Sequence, residues 1–156
     1  MQAHFNSIKS ILLIDDDQDD YFLFDEALKN SGLNISLFHT SNFLEAVAHL
    51  TTRLPGIIFL DLNMPFKNGL DALIDLKADD IFRSVPVVIF SSSTYSRDIK
   101  LAYERGAALY FTKPSSFEDL VLALSQILSK DWQKPASVTA QYFLEGSYIP
   151  FVLEPA

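Results

Sequence analysis

The sequence predicts a doubly wound α/β domain, a parallel sheet with helices on both faces, from three observations. Short apolar runs recur near residues 10–14, 35–38, 57–60, 86–90 and 108–112. They are continuous rather than alternating, the pattern of strands buried on both faces. Segments with helical spacing lie between them, and strand–helix alternation of this kind builds a parallel sheet. The ends of four runs carry chemistry: Ile11–Ile14 leads into Asp15, Asp16 and Asp17; Gly56–Leu60 ends in Asp61; Val87–Phe90 ends in Ser91; Ala108–Thr112 ends in Lys113-Pro114. Open α/β sheets bind their ligands outside the carboxyl ends of the strands.

The elements follow in order. After the first run, Phe24, Ala27 and Leu28 share one face of a helix from about 18 to 30, closed by Ser31-Gly32. Phe43, Val47 and Leu50 mark a helix that starts after Ser41. Leu70, Leu73, Ile74 and Lys77 mark a short one after Gly69, and Ile99, Ala102 and Tyr103 another that stops at Arg105-Gly106. Phe117, Leu120, Val121, Leu124, Ile127 and Leu128 form an i, i+3, i+4, i+7 stripe. Ser115 with Glu118 three residues on reads as its capping box. Right-handed crossovers put every strand's carboxyl end on one edge. Asp15, Asp16, Asp61, Ser91 and Lys113 thereby become neighbours although they span about 100 positions.

Residues 131–156 keep no helical or alternating period. Trp132, Tyr142, Phe143, Tyr148 and Phe151 are scattered among Pro135, Gly146, Pro150 and Pro155. The segment is too aromatic for an ordinary disordered tail, so it is expected to pack on its own domain or on a partner. The expected organisation is therefore one domain over 8–130 and an aromatic extension over 131–156, with no separate output domain expected.

Composition narrows the function classes. The chain has 156 residues, 49% hydrophobic and 21% charged, with a formal net charge of −8. This is a globular composition, and the acidic balance argues against a nucleic-acid surface or a polybasic membrane anchor. There are no cysteines, which excludes disulfides, thiolate metal sites and cysteine nucleophiles. The amino terminus lacks the basic and apolar regions of a signal peptide, and no apolar run approaches the ~20 residues of a membrane helix. A soluble cytoplasmic protein is expected.

Carboxylates converging on one edge repel, and two unit charges 4 Å apart cost roughly 4 kcal/mol at an effective dielectric near 20. A hard dication removes that cost, and magnesium needs only one or two carboxylates plus waters and phosphate oxygens. Asp16 and Asp61 are the expected direct ligands, with Asp15 on a metal-bound water and the Asn63 carbonyl as a third ligand. Lys113 supplies a point charge for a phosphoryl oxygen, and Ser91 can donate to another. Asp61, ionised, is a competent oxygen nucleophile toward an activated phosphate.

With these residues the chain resembles the receiver domains of two-component response regulators. The matching pieces are Asp15-Asp16, Asp61 in Leu60-Asp61-Leu62-Asn63-Met64-Pro65, Gly69, Ser91 and Lys113-Pro114. The intervals of 30 residues from Asp61 to Ser91 and 22 from Ser91 to Lys113 fit as well. The resemblance covers about residues 8 to 130 and implies a flavodoxin-like (βα)5 fold with strand order 2-1-3-4-5. It implies that Asp61 takes a phosphoryl group from a sensor histidine kinase or phosphotransfer protein, with Mg2+ as cofactor. Beyond this self-catalysed transfer and the hydrolysis of its own phosphate, no enzyme activity is implied. It further implies that Ser91 and Tyr110 form a switch pair, that the Lys113-Pro114 bond is cis, and that Asn63 and Ser93 tune hydrolysis of the phosphate. Serine at 91, where threonine is commoner, lacks the methyl that stiffens χ1. Asp17, a third consecutive acid, reads as a helix opener rather than a ligand. His4, His39 and His49 are unclustered and read as ordinary surface or core residues.

The expected output is contact with a downstream protein target, without DNA or membrane. The family's usual partner and dimer surface is the face formed by Tyr95 to Arg105, the Tyr110 strand and the last helix. The tail leaves from that helix and is expected either to add to a homodimer interface or to cover the face. Two other readings compete. One is a receiver-shaped binding module that works without phosphate. The other is an aspartyl-phosphate hydrolase of the haloacid-dehalogenase class, which needs an acid two residues after its nucleophile, where this chain has Asn63.

Overall fold

In a computed structural model, residues 8–155 are described; the expectations for His4 and for the amino-terminal leader lie outside them. The chain runs β1 (Ser10–Ile14), α1 (Gln18–Asn30), β2 (Ser36–Thr40), α2 (Phe43–Thr52), β3 (Ile57–Leu60), α3 (Gly69–Ala78), a 3-10 turn at Phe82–Ser84, β4 (Val87–Ser91), α4 (Ser96–Glu104), β5 (Leu109–Thr112) and α5 (Phe117–Leu128). A short helix, α6 (Pro135–Ala140), and a hairpin of β6 (Phe143–Leu144) and β7 (Ser147–Tyr148) follow. Five parallel strands form one sheet in the order β2-β1-β3-β4-β5.

Ile11–Ile14, Ile57–Leu60 and Val87–Phe90 are buried, as continuous apolar runs between two helical layers should be. Phe24 of α1 meets Phe59 and Phe90 edge to face, with ring centroids 5.0 and 5.4 Å apart. β2 departs from the expectation. It lies one residue or more further along than its apolar run suggested and is only half-buried, because it is an edge strand. In-register pairing of Ile14 with Leu60, and of Ser91 with Thr112, brings the strand ends level.

The helix starts are set by side-chain caps. Asp17 accepts from the Asp19 and Asp20 amides at 2.8 and 3.1 Å and opens α1, the role read for it from sequence. Asn42 and Asn68 cap α2 and α3 in the same way. The cap of α5 is Ser116, which accepts from the Asp119 amide at 3.1 Å, and not Ser115 with Glu118. Two adjacent serines each have an acid three residues on, so spacing alone could not separate them. The stripe on α5 also shifts. Phe117 is exposed and Ala123 buried, so the small residue rather than the aromatic packs against the sheet. All peptide bonds among the described residues are trans, including Lys113-Pro114, which corrects the cis expectation. No helix among them is long and apolar enough to cross a membrane.

The tail folds back on its own domain. Trp132, Val138 and Tyr142 are buried. The Trp132 indole donates to the Ile127 carbonyl at 2.8 Å, and the Thr139 hydroxyl to the Ala108 carbonyl at 2.8 Å. Tyr148 stacks on Tyr103 of α4 at 4.6 Å, and the Phe151 amide donates to the Tyr110 carbonyl at 2.7 Å. The tail thus lies over α4, β5 and α5. α6 was not legible from periodicity, because six residues give less than two turns.

Candidate functional site

The site lies at the carboxyl edge of the sheet. The Asp15 amide donates to the Thr40 carbonyl at 3.1 Å, and the Asp61 amide to the Ile14 carbonyl at 2.9 Å, so ladder hydrogen bonds place both acids. Gly69 closes the loop after Asp61, its amide donating to the Leu62 carbonyl at 2.8 Å. A Cβ at Gly69 would stand 2.2 Å from the Asp61 carbonyl oxygen and 2.7 Å from the Leu62 Cα. Glycine is therefore required by the close approach of two backbones.

Carboxylate oxygens of Asp15, Asp16 and Asp61 lie within 4.8 Å of one another. Asp15 and Asp61 are buried, while Asp16 is exposed. Burial raises the Asp15 carboxyl above the ordinary range, against the Asp17 amide that donates to it at 2.9 Å and against the charge of Lys113. Burial also raises Asp61, to about 6; the charge of Asp15 adds to this, and Lys113 and the Asn63 amide oppose it. The Lys113 ammonium reaches into the cluster, 3.1 Å from Asp15, 2.6 Å from Asp20 and 3.5 Å from Asp61. Burial alone would lower it, but its hydrogen bond to Asp20 and the charges of Asp61 and Asp15 hold it above the usual lysine range. One ammonium faces more than one buried carboxylate, so the pocket is short of positive charge. Hard oxygen donors in this excess fit a divalent cation.

The other residues named from sequence fall around this core. Ser91 is fully buried, and its hydroxyl accepts from the Ser93 amide at 3.1 Å. The Ser93 hydroxyl donates to Asp98 at the start of α4 at 2.5 Å. Tyr110 is fully buried, with its phenol donating to the Ser93 carbonyl at 2.9 Å. Asn63 is exposed and meets Asp61 through its backbone amide. Two residues escaped the sequence reading. Asp20 holds Lys113, and its place among the acids in the first turn of α1 was the available signal. His39 donates from Nε2 to the Asp15 carbonyl at 2.8 Å and stacks on Tyr21 at 4.1 Å. It reaches that place because β2 runs beside β1, a fact of strand order and not of spacing.

Residues 11–125 match the response regulator receiver domain. The chain belongs to the response regulator receiver family. It is 30% identical over 147 residues to response regulator Rcp1 of Synechocystis sp., which spans 90% of this chain and 99% of that protein. The structure of the phosphorylated cyanobacterial phytochrome response regulator RcpA superposes with a TM-score of 0.71 at 31% identity, covering 78% of this chain and 91% of that one. The Mn2+-bound form of Rcp1 superposes with a TM-score of 0.69 at 29% identity, covering 92% and 99%. Receiver membership and strand order agree with the sequence reading.

Proposed function

We propose that this receiver takes a phosphoryl group on Asp61 from a phosphohistidine on a sensor kinase or phosphotransfer protein, and signals by contact with a downstream protein. The observation that carries the reading is Asp61 itself: a buried carboxylate at a strand end, with an ammonium 3.5 Å from one oxygen and two further acids alongside. In the transfer, an Asp61 oxygen forms the bond to phosphorus, the donor's phosphorus–nitrogen bond breaks, and the released imidazole takes up a proton. Lys113, already poised among carboxylates, neutralises the incoming phosphoryl oxygens. Ser91 supplies a hydroxyl donor at the neighbouring strand end.

Asp16, Asp61 and the Asn63 carbonyl would hold Mg2+, with Asp15 on a bound water. When bound, it screens the carboxylates and the phosphoryl charge. The Mn2+ that the Rcp1 structure carries supports a dication here, and the phosphorylated RcpA structure supports the acceptor role. No activity on external substrates is proposed, and the cytoplasm is the proposed compartment.

Intact mass after incubation with Mg2+ and acetyl phosphate tests the reading. The expected result is a gain of about 80 Da, the mass of one phosphoryl group on an aspartyl nucleophile, absent in Asp61→Asn and without metal. A gain of the same size in Asp61→Asn would overturn the assignment.

A further inference from the structure

Tyr110 has its two ends in two different places. Its phenol donates to the Ser93 carbonyl at 2.9 Å, and the Ser93 amide donates to the hydroxyl of Ser91, at the end of the strand beside Asp61, at 3.1 Å. Its backbone faces the opposite way. β5 is an edge strand paired only with β4, so the outward amide and carbonyl of Tyr110 need other partners. The amide donates to the Tyr103 hydroxyl at 3.1 Å, and the carbonyl accepts from the Phe151 amide at 2.7 Å. The Tyr103 hydroxyl in turn donates to the Ile149 carbonyl at 2.8 Å.

These bonds close a ring through α4, β5 and the tail, with the Tyr103–Tyr148 stack beside it. The far end of the tail is clipped by Gln126 of α5. Its amide nitrogen donates to the Glu154 carbonyl at 2.8 Å, and its oxygen accepts from the Glu154 amide at 2.9 Å. Ser91 and Ser93 therefore connect to the tail through a single residue. Buried backbone groups left without partners are costly, so the position of Tyr110 depends on whether the tail is seated.

We propose that the tail, through Tyr103 and the backbone of Tyr110, is a positioning element for the phosphoryl site. With Ile149–Phe151 seated, Tyr110 is fixed and its phenol holds Ser91 and Ser93 in place for an anion at Asp61. Binding at Asp61 and seating of the tail then favour each other by one common factor, as linkage requires. The inference rests on reading Asp61 as the phosphoryl acceptor and adds that its affinity is set in part by residues outside the matched region 11–125.

The test uses the full chain with Mg2+ and beryllofluoride as the probe, read by calorimetry and by hydrogen exchange at the Phe151 amide. Beryllofluoride should slow exchange at Phe151 by about fivefold, the lower end of ordinary coupling. Gln126→Ala and Tyr103→Phe, which loosen the tail at two separate points, should speed that exchange and weaken beryllofluoride binding by a similar factor. Circular dichroism confirms that both variants fold. Wild-type affinity in variants whose Phe151 exchanges faster would overturn the coupling while leaving the acceptor reading intact. Failure of the full chain to bind beryllofluoride would overturn both.

Discussion

The carboxyl edge of the sheet and the tail-covered face are held by different kinds of contact. At the edge, Asp15, Asp61, Ser91 and Lys113 are placed by parallel ladders, Ser91 as the last residue of its strand and the other three one step beyond theirs. On the face, Trp132, Thr139, Tyr103 and Gln126 each reach a backbone carbonyl or amide through a side chain. The first arrangement is a property of topology and tolerates variation in the residues that build the strands. The second is a property of particular side chains and is lost one contact at a time.

Gly69→Ala should show the fragility of the edge most strongly. The added methyl would overlap the Asp61 carbonyl at 2.2 Å, and the obstructing atoms are backbone, so they cannot swing away. A loss of about 3 kcal/mol or more is expected in urea denaturation, the cost of overpacking where nothing yields. Acetyl phosphate labelling of any folded fraction should fall with it, because the loop bearing Asp61 must shift.

Trp132→Ala should do the opposite on the tail face. It empties a buried site and removes the bond to Ile127, and about 3 kcal/mol is expected, as for other large-to-small changes. Labelling of Asp61 in the folded fraction should persist, lowered only by the modest factor with which the seated tail supports the site. Complete loss of labelling in the folded fraction would show a coupling far larger than that factor.

Asp61→Asn should act with the opposite sign. The native carboxyl is raised from 3.8 to about 6. Below about pH 4 it is protonated in both folded and unfolded chains, and the variant gains nothing. As pH rises from there through 6, the folded state holds its proton longer than the unfolded one, so native stability falls. Above 6 the metal-free variant should be the more stable by about 3 kcal/mol, from a rise of this size. Thermal melts in chelator from pH 4 to 8 would show the gap opening. Saturating Mg2+ should narrow it, since a dication binds only the native carboxylate.

The same division explains what could be read in advance. β1, β3, β4 and β5 were legible because strands buried on both faces leave continuous apolar runs, and the strand ends carried the site with them. β2 is less legible because it is an edge left half-exposed, whereas β5, the other edge, is covered by α4 and the tail and keeps its apolar run. Asp20 and His39 were missed because their partners, Lys113 and the Asp15 carbonyl, are long-range and follow no period. The tail's aromatic content pointed to packing, but α6 and the hairpin depend on contacts with Ala108, Tyr103 and Tyr110 that no local pattern announces.

Lys113 follows the last strand of the sheet, and this gives the pocket a history as well as a geometry. A chain emerging in order presents Asp15, Asp16 and Asp61 well before the ammonium that balances them. Until β5 is made, the half-built edge carries only negative charge, and its acids are best left in water. Domains fold as units once enough chain is available, so the lysine joins the acids together with the final sheet contacts. An edge without β5 would hold its acids without their counter-charge.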